Sequence, residues 1–413
     1  MRIALLGVRG VPALYSGFET AATEILTRLA ARGHDVTVYC RRGYGDETQQ
    51  SFQGIRKRYL PSLPIKIGET LSHTLLGLLD VARDPPDVLI IFNPANSPLF
   101  AIPLIMRIPY AVNVDGLEWR RGKWPLFGRA YLYFACWLCA RTAPWIIADS
   151  RAIQRFYRDR WKRDSYFATY GTHLVESREP ALLAEYGLQP KEYFLVVARL
   201  EPENNTDLII RAFSQVRTTK QLLIVGDTRY RSQYVEKLRA ETRDPRVYFA
   251  GGIYDRRKLN EIMCNCYAYV HGHVVGGTNP VLLEALGSGC CVMYLDHDYH
   301  FNREVVGGAG IAFERTTGDL SRHMQDLIDH PEMAESLRNQ ARDRVRLEYS
   351  WDTVADQYEK LCFEMLLRRR RKRLDEEAGV MAVQGQIDPT AERGGNGLAL
   401  APRATSRNPV DAT

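Results

Sequence analysis

The residues in this chain best placed to do chemistry lie in His271–Gly289, which reads His-Gly-His-Val-Val-Gly-Gly-Thr-Asn-Pro-Val-Leu-Leu-Glu-Ala-Leu-Gly-Ser-Gly. A short β-prone run, Ala268–Val270, leads into it. Gly276 and Gly277 permit positive φ and a close approach of ligand to backbone. Thr278 or Asn279 can cap a helix, and Pro280 suits its first turn. A helix start of this kind leaves amide N–H groups for a ligand and favours an anion, above all a phosphate. Glu284, about one turn further on, can accept hydrogen bonds from sugar hydroxyls. The same grammar also fits an ordinary loop whose glutamate is merely solvated.

Two other strand-end loops carry polar groups in the right place. Tyr193–Val197 is followed by Ala198-Arg-Leu-Glu-Pro-Glu-Asn-Asn205, where Arg199 can meet an anion and Asn204 can donate hydrogen bonds. Tyr110–Val114 runs into Asp115-Gly-Leu-Glu-Trp-Arg-Arg121. Asp115 and Glu118 there can hold hydroxyls of a ligand, or pair within the loop with Arg120 or Arg121.

These loops need a scaffold of alternating strands and helices, and the chain supplies one. Arg2–Leu6 is an apolar strand, followed by the loop Gly7–Pro12 and Tyr15-Ser-Gly-Phe-Glu19, then a helix to Ala31 with Ala22, Ile25, Leu26 and Leu29 on one face. Gly33-His34 stops it, and Val36–Tyr39 is the second strand. Further strands are expected at Ile55–Tyr59, Val88–Phe92, Tyr110–Val114, Trp145–Ala148, Tyr193–Val197, Leu222–Val225, Val247–Phe249 and Cys291–Leu295, with Asp149-Ser150 capping a helix. The pattern is a doubly wound α/β architecture, with ligand loops at the carboxyl ends of strands. A dinucleotide-binding reading fits poorly. The first glycines are spaced Gly-x-x-Gly, and the second strand ends in Tyr39-Cys40 where a ribose-binding acid is expected.

Gly-Thr-Asn-Pro-x-Leu-Leu-Glu-Ala before a glycine-bounded apolar strand resembles the donor-binding loop of retaining GT-B glycosyltransferases, family 4. The resemblance covers about residues 1–365. It implies two Rossmann-like domains facing a cleft, with a final helix, from Trp351 through Tyr358, crossing back to the first. Most such enzymes carry two glutamates in this loop. Glu284 matches the second, on the nucleotide ribose, but Gly276 stands where the first is expected. That departure, with the His-Gly-His lead-in, resembles the bacterial rhamnosyltransferase branch. Ala198–Asn205 is similar to the family's Arg-Leu-x-x-x-Lys element, whose cations neutralise the donor diphosphate. Arg199 matches, and Asn204 takes the lysine position.

The resemblance implies donor contacts at Gly17, Arg199, Asn204, Gly277, Thr278, Asn279 and Glu284, acceptor contacts at Asp115 and Glu118, and Arg199 and Asp115 as candidate catalytic residues. No protein nucleophile is assigned, because departure and attack are thought to share one face of the sugar. No cofactor is implied beyond a nucleotide diphosphate sugar as co-substrate, with dTDP-L-rhamnose the expected donor. Asp296-His-Asp298 is the spacing that some glycosyltransferases of other folds use to hold Mn²⁺ or Mg²⁺. Here it follows a late strand in a family that needs no metal, so a structural or acceptor-facing role is expected.

With 413 residues, two domains are expected, at 1–175 and 190–350, followed by a cross-over helix and basic run at 351–374 and a disordered tail at 375–413. Met1–Gly7 runs straight into a strand without a signal-like leader, no apolar run approaches the ~20 residues that span a bilayer, and eight cysteines suit a reducing compartment. A cytoplasmic protein is expected. Cys136-x-x-Cys139 has no second pair at zinc-ribbon spacing and sits among apolar residues. Between Arg120 and Arg163 stand eleven Lys or Arg against two acids, interleaved with aromatic residues. That face suits an anionic membrane or is simply a solvated side of a core helix. Arg368–Arg373 offers a second such contact. No nucleic-acid module is present. The function expected is sugar transfer from a nucleotide diphosphate sugar to a lipid-linked or polysaccharide acceptor at the inner face of the plasma membrane. A non-catalytic nucleotide-sugar or glycan-binding homologue, or a nucleotide-sugar epimerase of the same fold, are the alternatives.

Overall fold

The computed structural model describes residues 1–14, 17–64, 66–120, 124–227, 233–275, 277–297 and 300–384. Gly276, Arg121 and Asp298, all named above, lie outside them, as does the tail from 385. The chain forms two compact units, Met1–Leu366 and Leu367–Thr413.

The first unit contains two Rossmann-like domains. The first sheet comprises β1 (Arg2–Leu6), β2 (Asp35–Arg41), β3 (Ser51–Phe52), β4 (Ile55–Leu60), β5 (Val88–Phe92), β6 (Tyr110–Asn113), β7 (Trp145–Ala148) and β8 (Tyr166–Phe167). The second comprises β9 (Tyr193–Val197), β10 (Gln221–Val225), β11 (Val247–Gly251), β12 (Ala268–His271), β13 (Val292–Leu295) and β14 (Gly310–Phe313). Strand orders are β3-β4-β2-β1-β5-β6-β7-β8 and β11-β10-β9-β12-β13-β14. All pairings are parallel except β3 with β4. Helices cover both faces of such sheets, so central strands are apolar throughout. All five residues of β5 are buried, for example. The order reverses between β1 and β5 and again between β9 and β12. Crevices at such reversals, outside the carboxyl ends of the strands, are where doubly wound sheets take ligands.

Two chain crossings join the domains side by side. Outgoing Thr172 donates its N–H to Tyr349 O at 2.8 Å, and Thr172 bridges Ser350. The segment after it is held to the second domain. The hydroxyl of Ser177 and the amides of Arg178 and Glu179 all donate to the Glu261 carboxylate, at 2.6, 2.6 and 2.8 Å.

The returning helix, Trp351–Gln384, begins on the first domain as expected. Its Asp352 pairs with Arg28 at 2.7 Å, Asp356 and Glu359 pair with Arg32 at 2.7 and 2.8 Å, and Glu359 also meets His34 at 2.6 Å. Tyr358, Leu361, Cys362 and Met365 are buried in one core with Ile3, Leu5 and Ile25.

In the second unit the helix continues from Leu367 to Gln384 with Arg368–Arg373 exposed. Disorder was expected from 375, yet 375–384 are helical, in keeping with the good helix formers Glu377, Ala378, Met381 and Ala382. Among the described residues no helix is long and apolar enough to cross a membrane.

Candidate active site

The loop after β12 and the helix Pro280–Gly287 carry the focal motif at the second sheet's reversal. Asn279 is the cap: its Oδ1 accepts the Val281 N–H at 3.2 Å, and Pro280 opens the helix. Thr278, the other candidate cap, instead turns to the first domain. Its amide donates to Asp149 Oδ2 at 2.9 Å and its hydroxyl donates to the Asp149 carbonyl at 2.7 Å. Gly277 is required by the same contact. A Cβ there would stand 2.6 and 2.7 Å from the two Asp149 carboxylate oxygens. Gly17 lies close by, since a Cβ on it would be 3.0 Å from Pro280 Cγ. Gly17, Gly277, Thr278 and Asn279 are therefore brought together where the two domains meet.

Asp149 was expected only as a helix cap. Ser150 does the capping, with its Oγ accepting the Ile153 N–H at 3.2 Å. Asp149, at the end of β7, is fully buried, and its Oδ1 has no hydrogen-bond partner among the described residues. Burial, and then the nearby Asp115 carboxylate, push its carboxyl well above the usual range. Asp115 sits at φ +51°, with its amide donating to Asn113 Oδ1 at 3.0 Å. The Tyr170 hydroxyl donates to Asp115 Oδ1 at 3.4 Å, and Asn113 Nδ2 donates to the hydroxyl of Tyr358 at 2.8 Å. The returning helix thus reaches the floor of the site. Glu118 accepts the Trp124 indole N–H at 3.1 Å.

The second element of the site is the loop after β9. Arg199 is exposed there. Asn204 is 5 % exposed and its amide donates to the Arg199 carbonyl at 2.7 Å, so it braces the loop from inside rather than projecting into the cleft. Backbone contacts join this loop to the one after β12. Val274 N–H donates to Glu203 O at 3.2 Å, and Asn205 Nδ2 donates to Gly272 O at 2.7 Å. One hollow lies between the loop after β12 and the segment after β13, lined by His273, Gly277 and Asn279 from the first and by His297, Phe301 and Asn302 from the second.

Glu284 forms an ion pair with Arg256 at 2.6 Å, an arginine not singled out from the sequence. Glu304, in the loop-helix after β13, accepts the amides of Arg151 and, at 3.1 Å, Ala152, so a second-domain carboxylate caps a first-domain helix. Asp296 is paired with His300 at 2.9 Å and Arg303 at 2.6 Å. Among the described residues no group of three or more His, Cys, Asp or Glu side chains is arranged to hold a metal ion. Cys136 and Cys139 are buried thiols, and burial pushes Cys136 up to about 12.

Known proteins share this architecture. Residues 181–344 match the family described as glycosyl transferases group 1, and residues 16–165 match the glycosyl transferase 4-like domain. The two matches fall one on each Rossmann-like domain. Among individual proteins, it is 23 % identical over 167 residues to a Campylobacter jejuni enzyme, N-acetylgalactosamine-N,N'-diacetylbacillosaminyl-diphospho-undecaprenol 4-alpha-N-acetylgalactosaminyltransferase. That match takes in 40 % of this chain and 44 % of the relative, so it spans less than half of the relative's length. Among solved structures, sucrose-phosphate synthase from Thermosynechococcus elongatus superposes with a TM-score of 0.74 at 18 % identity, over 89 % of this chain and 99 % of that one. Anabaena HepE in complex with UDP superposes with a TM-score of 0.71 at 19 % identity, over 88 % and 100 %.

Proposed function

We propose that this chain transfers a sugar from a nucleoside diphosphate sugar to a lipid-linked or polysaccharide acceptor in cell-surface glycan synthesis. The observation that carries the reading is the meeting of two loops at one sheet reversal. The helix start Gly277–Asn279 offers its amides to a phosphate, apart from that of Thr278, which Asp149 accepts, and the bonded loop beside it presents the exposed Arg199. Glu284 is the ribose-binding residue, and Asp115 and Glu118 face the acceptor. Negative charge grows on the diphosphate as the glycosidic bond breaks, so Arg199 and the amides stabilise the transition state more than the bound donor. No residue is assigned as nucleophile, and anomeric configuration is retained. The donor is dTDP-L-rhamnose. UDP, bound in the Anabaena relative, is the competing nucleotide.

A lipid-linked acceptor is supported by the diphospho-undecaprenol in the Campylobacter relative's name and by one face of the first domain. The helices Lys66–Arg83 and Leu126–Thr142 pack on residues 94–99, and Ala101–Ile105 packs on Lys66–Arg83. They leave Leu126 and Phe127 each 82 % exposed and Ile105 77 % exposed. Apolar side chains beside Arg107, Arg129 and Arg141 suit the interface of an anionic bilayer. The protein then works as a peripheral enzyme at the cytoplasmic face. The test is a panel of dTDP-, UDP- and GDP-sugars, following nucleoside diphosphate release with and without membrane extract. Acceptor-dependent release from one donor is expected. Nucleotide binding without turnover of any donor would remove the transferase reading.

A further inference from the structure

On the loop Ala198–Asn205 only Arg199 carries a positive charge, and Asn204 is committed to the Arg199 carbonyl. A second donor to the same ligand would then come from a neighbouring element, and the loop fastened to this one is that after β12. Val274 N–H donates to Glu203 O, Asn205 Nδ2 donates to Gly272 O, and a Cβ on Gly272 would lie 2.5 Å from Asn204 O. His273 is the residue between these fastened positions. Its carbonyl accepts Asn302 Nδ2 at 2.9 Å, and the same amide donates to Leu295 O at 2.9 Å. The backbone of His273 is therefore held by two second-domain loops.

Its ring is also held. The imidazoles of His271 and His273 stack with centroids 4.2 Å apart and planes 12° from parallel. His271 is fully buried, with Nδ1 at 3.1 Å from the Tyr269 hydroxyl. His271 thus acts as a fixed platform under a second imidazole that lines the hollow with Gly277 and Asn279. A donor fixed before the ligand arrives is the arrangement that stabilises developing charge most effectively.

We propose that His273 donates an imidazole N–H to the β-phosphate of the nucleoside diphosphate, sharing with Arg199 the stabilisation of that leaving group. The inference rests on the transferase reading above. It places His273 on the distal phosphate, so its effect separates diphosphates from monophosphates. Titration calorimetry of UDP, dTDP, UMP and dTMP against the full chain and its His273→Ala and His273→Gln variants provides the test, with circular dichroism confirming that each is folded. His273→Ala is expected to weaken the tighter diphosphate by about tenfold or more, the scale of one hydrogen bond to a charged group. It should leave the corresponding monophosphate within about twofold. His273→Gln, which keeps an N–H donor, should recover part of the loss. Unchanged diphosphate affinity overturns the proposal, and so does an equal loss for mono- and diphosphate, which a merely structural role would give. A parent protein that binds none of UDP, dTDP and, titrated in the same way, GDP overturns the transferase reading and this inference with it.

Discussion

Replacing Gly277 by alanine tests whether the donor loop is locked to the first domain. Its φ lies outside the left-handed region, so backbone entropy alone would favour alanine by about 0.4–1 kcal/mol. The contact works the other way. The new methyl would stand 2.6 and 2.7 Å from the Asp149 oxygens and 3.0 Å from its Cγ. Asp149 is fully buried and cannot swing into solvent, so it must leave the Thr278 amide. A buried N–H without an acceptor costs about 1–3 kcal/mol, and forcing a methyl into a packed site costs about 1–3 kcal/mol. Gly277→Ala should therefore destabilise by about 1–5 kcal/mol after the entropic gain. With Asp149 already replaced by alanine the methyl has room, and the same glycine substitution should cost less than about 1 kcal/mol. The assay is urea unfolding of the parent, both single variants and the double variant, followed by tryptophan fluorescence. Additive effects within about 0.5 kcal/mol, or a neutral Gly277→Ala, would refute the lock.

Four further outcomes are expected. Arg199→Ala should lower kcat by about 10²-fold while stability stays within about 0.5 kcal/mol, as for an exposed surface residue. Turnover within about threefold of the parent would count against its role. Glu284→Ala should weaken nucleoside diphosphate binding by roughly tenfold, whereas loss of the exposed Arg256 should matter much less. Unchanged affinity in Glu284→Ala would take that glutamate out of the site. EDTA should leave transfer intact, because Asp296 is engaged by His300 and Arg303; activity abolished by chelator and restored by Mn²⁺ would reverse this. Flotation with anionic liposomes should weaken at high salt and weaken again in Leu126→Ser/Phe127→Ser, and binding indifferent to both salt and lipid charge would rule out the basic face.

Strands were legible where apolar runs are closed by glycine or proline, as at Val88–Phe92 before Pro94 and Leu222–Val225 before Gly226. They were not where an edge pairing is two residues long, as at Ser51–Phe52 and Tyr166–Phe167. The focal loop was legible for a similar reason, since glycine, cap, proline and helix are a local grammar. Its partners were not local. Asp149 reaches Thr278 across 129 positions and Glu304 reaches Arg151 across 153, so Asp149 looked like half of a cap. Asn204 could be placed on its loop but not oriented, because which way an amide turns depends on whether the loop needs a brace. His273 was visible only as a lead-in to the glycines. Residues two apart share a face in extended backbone, so its stack on His271 is in keeping with the strand, but nothing local says that this face meets the hollow.

The returning helix sets a schedule for making the protein. The first domain's last strand ends at Phe167, yet Tyr358, Leu361 and Met365 complete the same core as Ile3 and Leu5. At about 5–20 residues per second, those side chains emerge from a ribosome roughly 10–40 s after the sheet they cover. Through that interval the nascent first domain must hold uncovered the apolar surface that the helix later seals. Synthesis of this chain therefore calls for either a slow-aggregating intermediate or a chaperone that releases it only when the end of the second domain arrives.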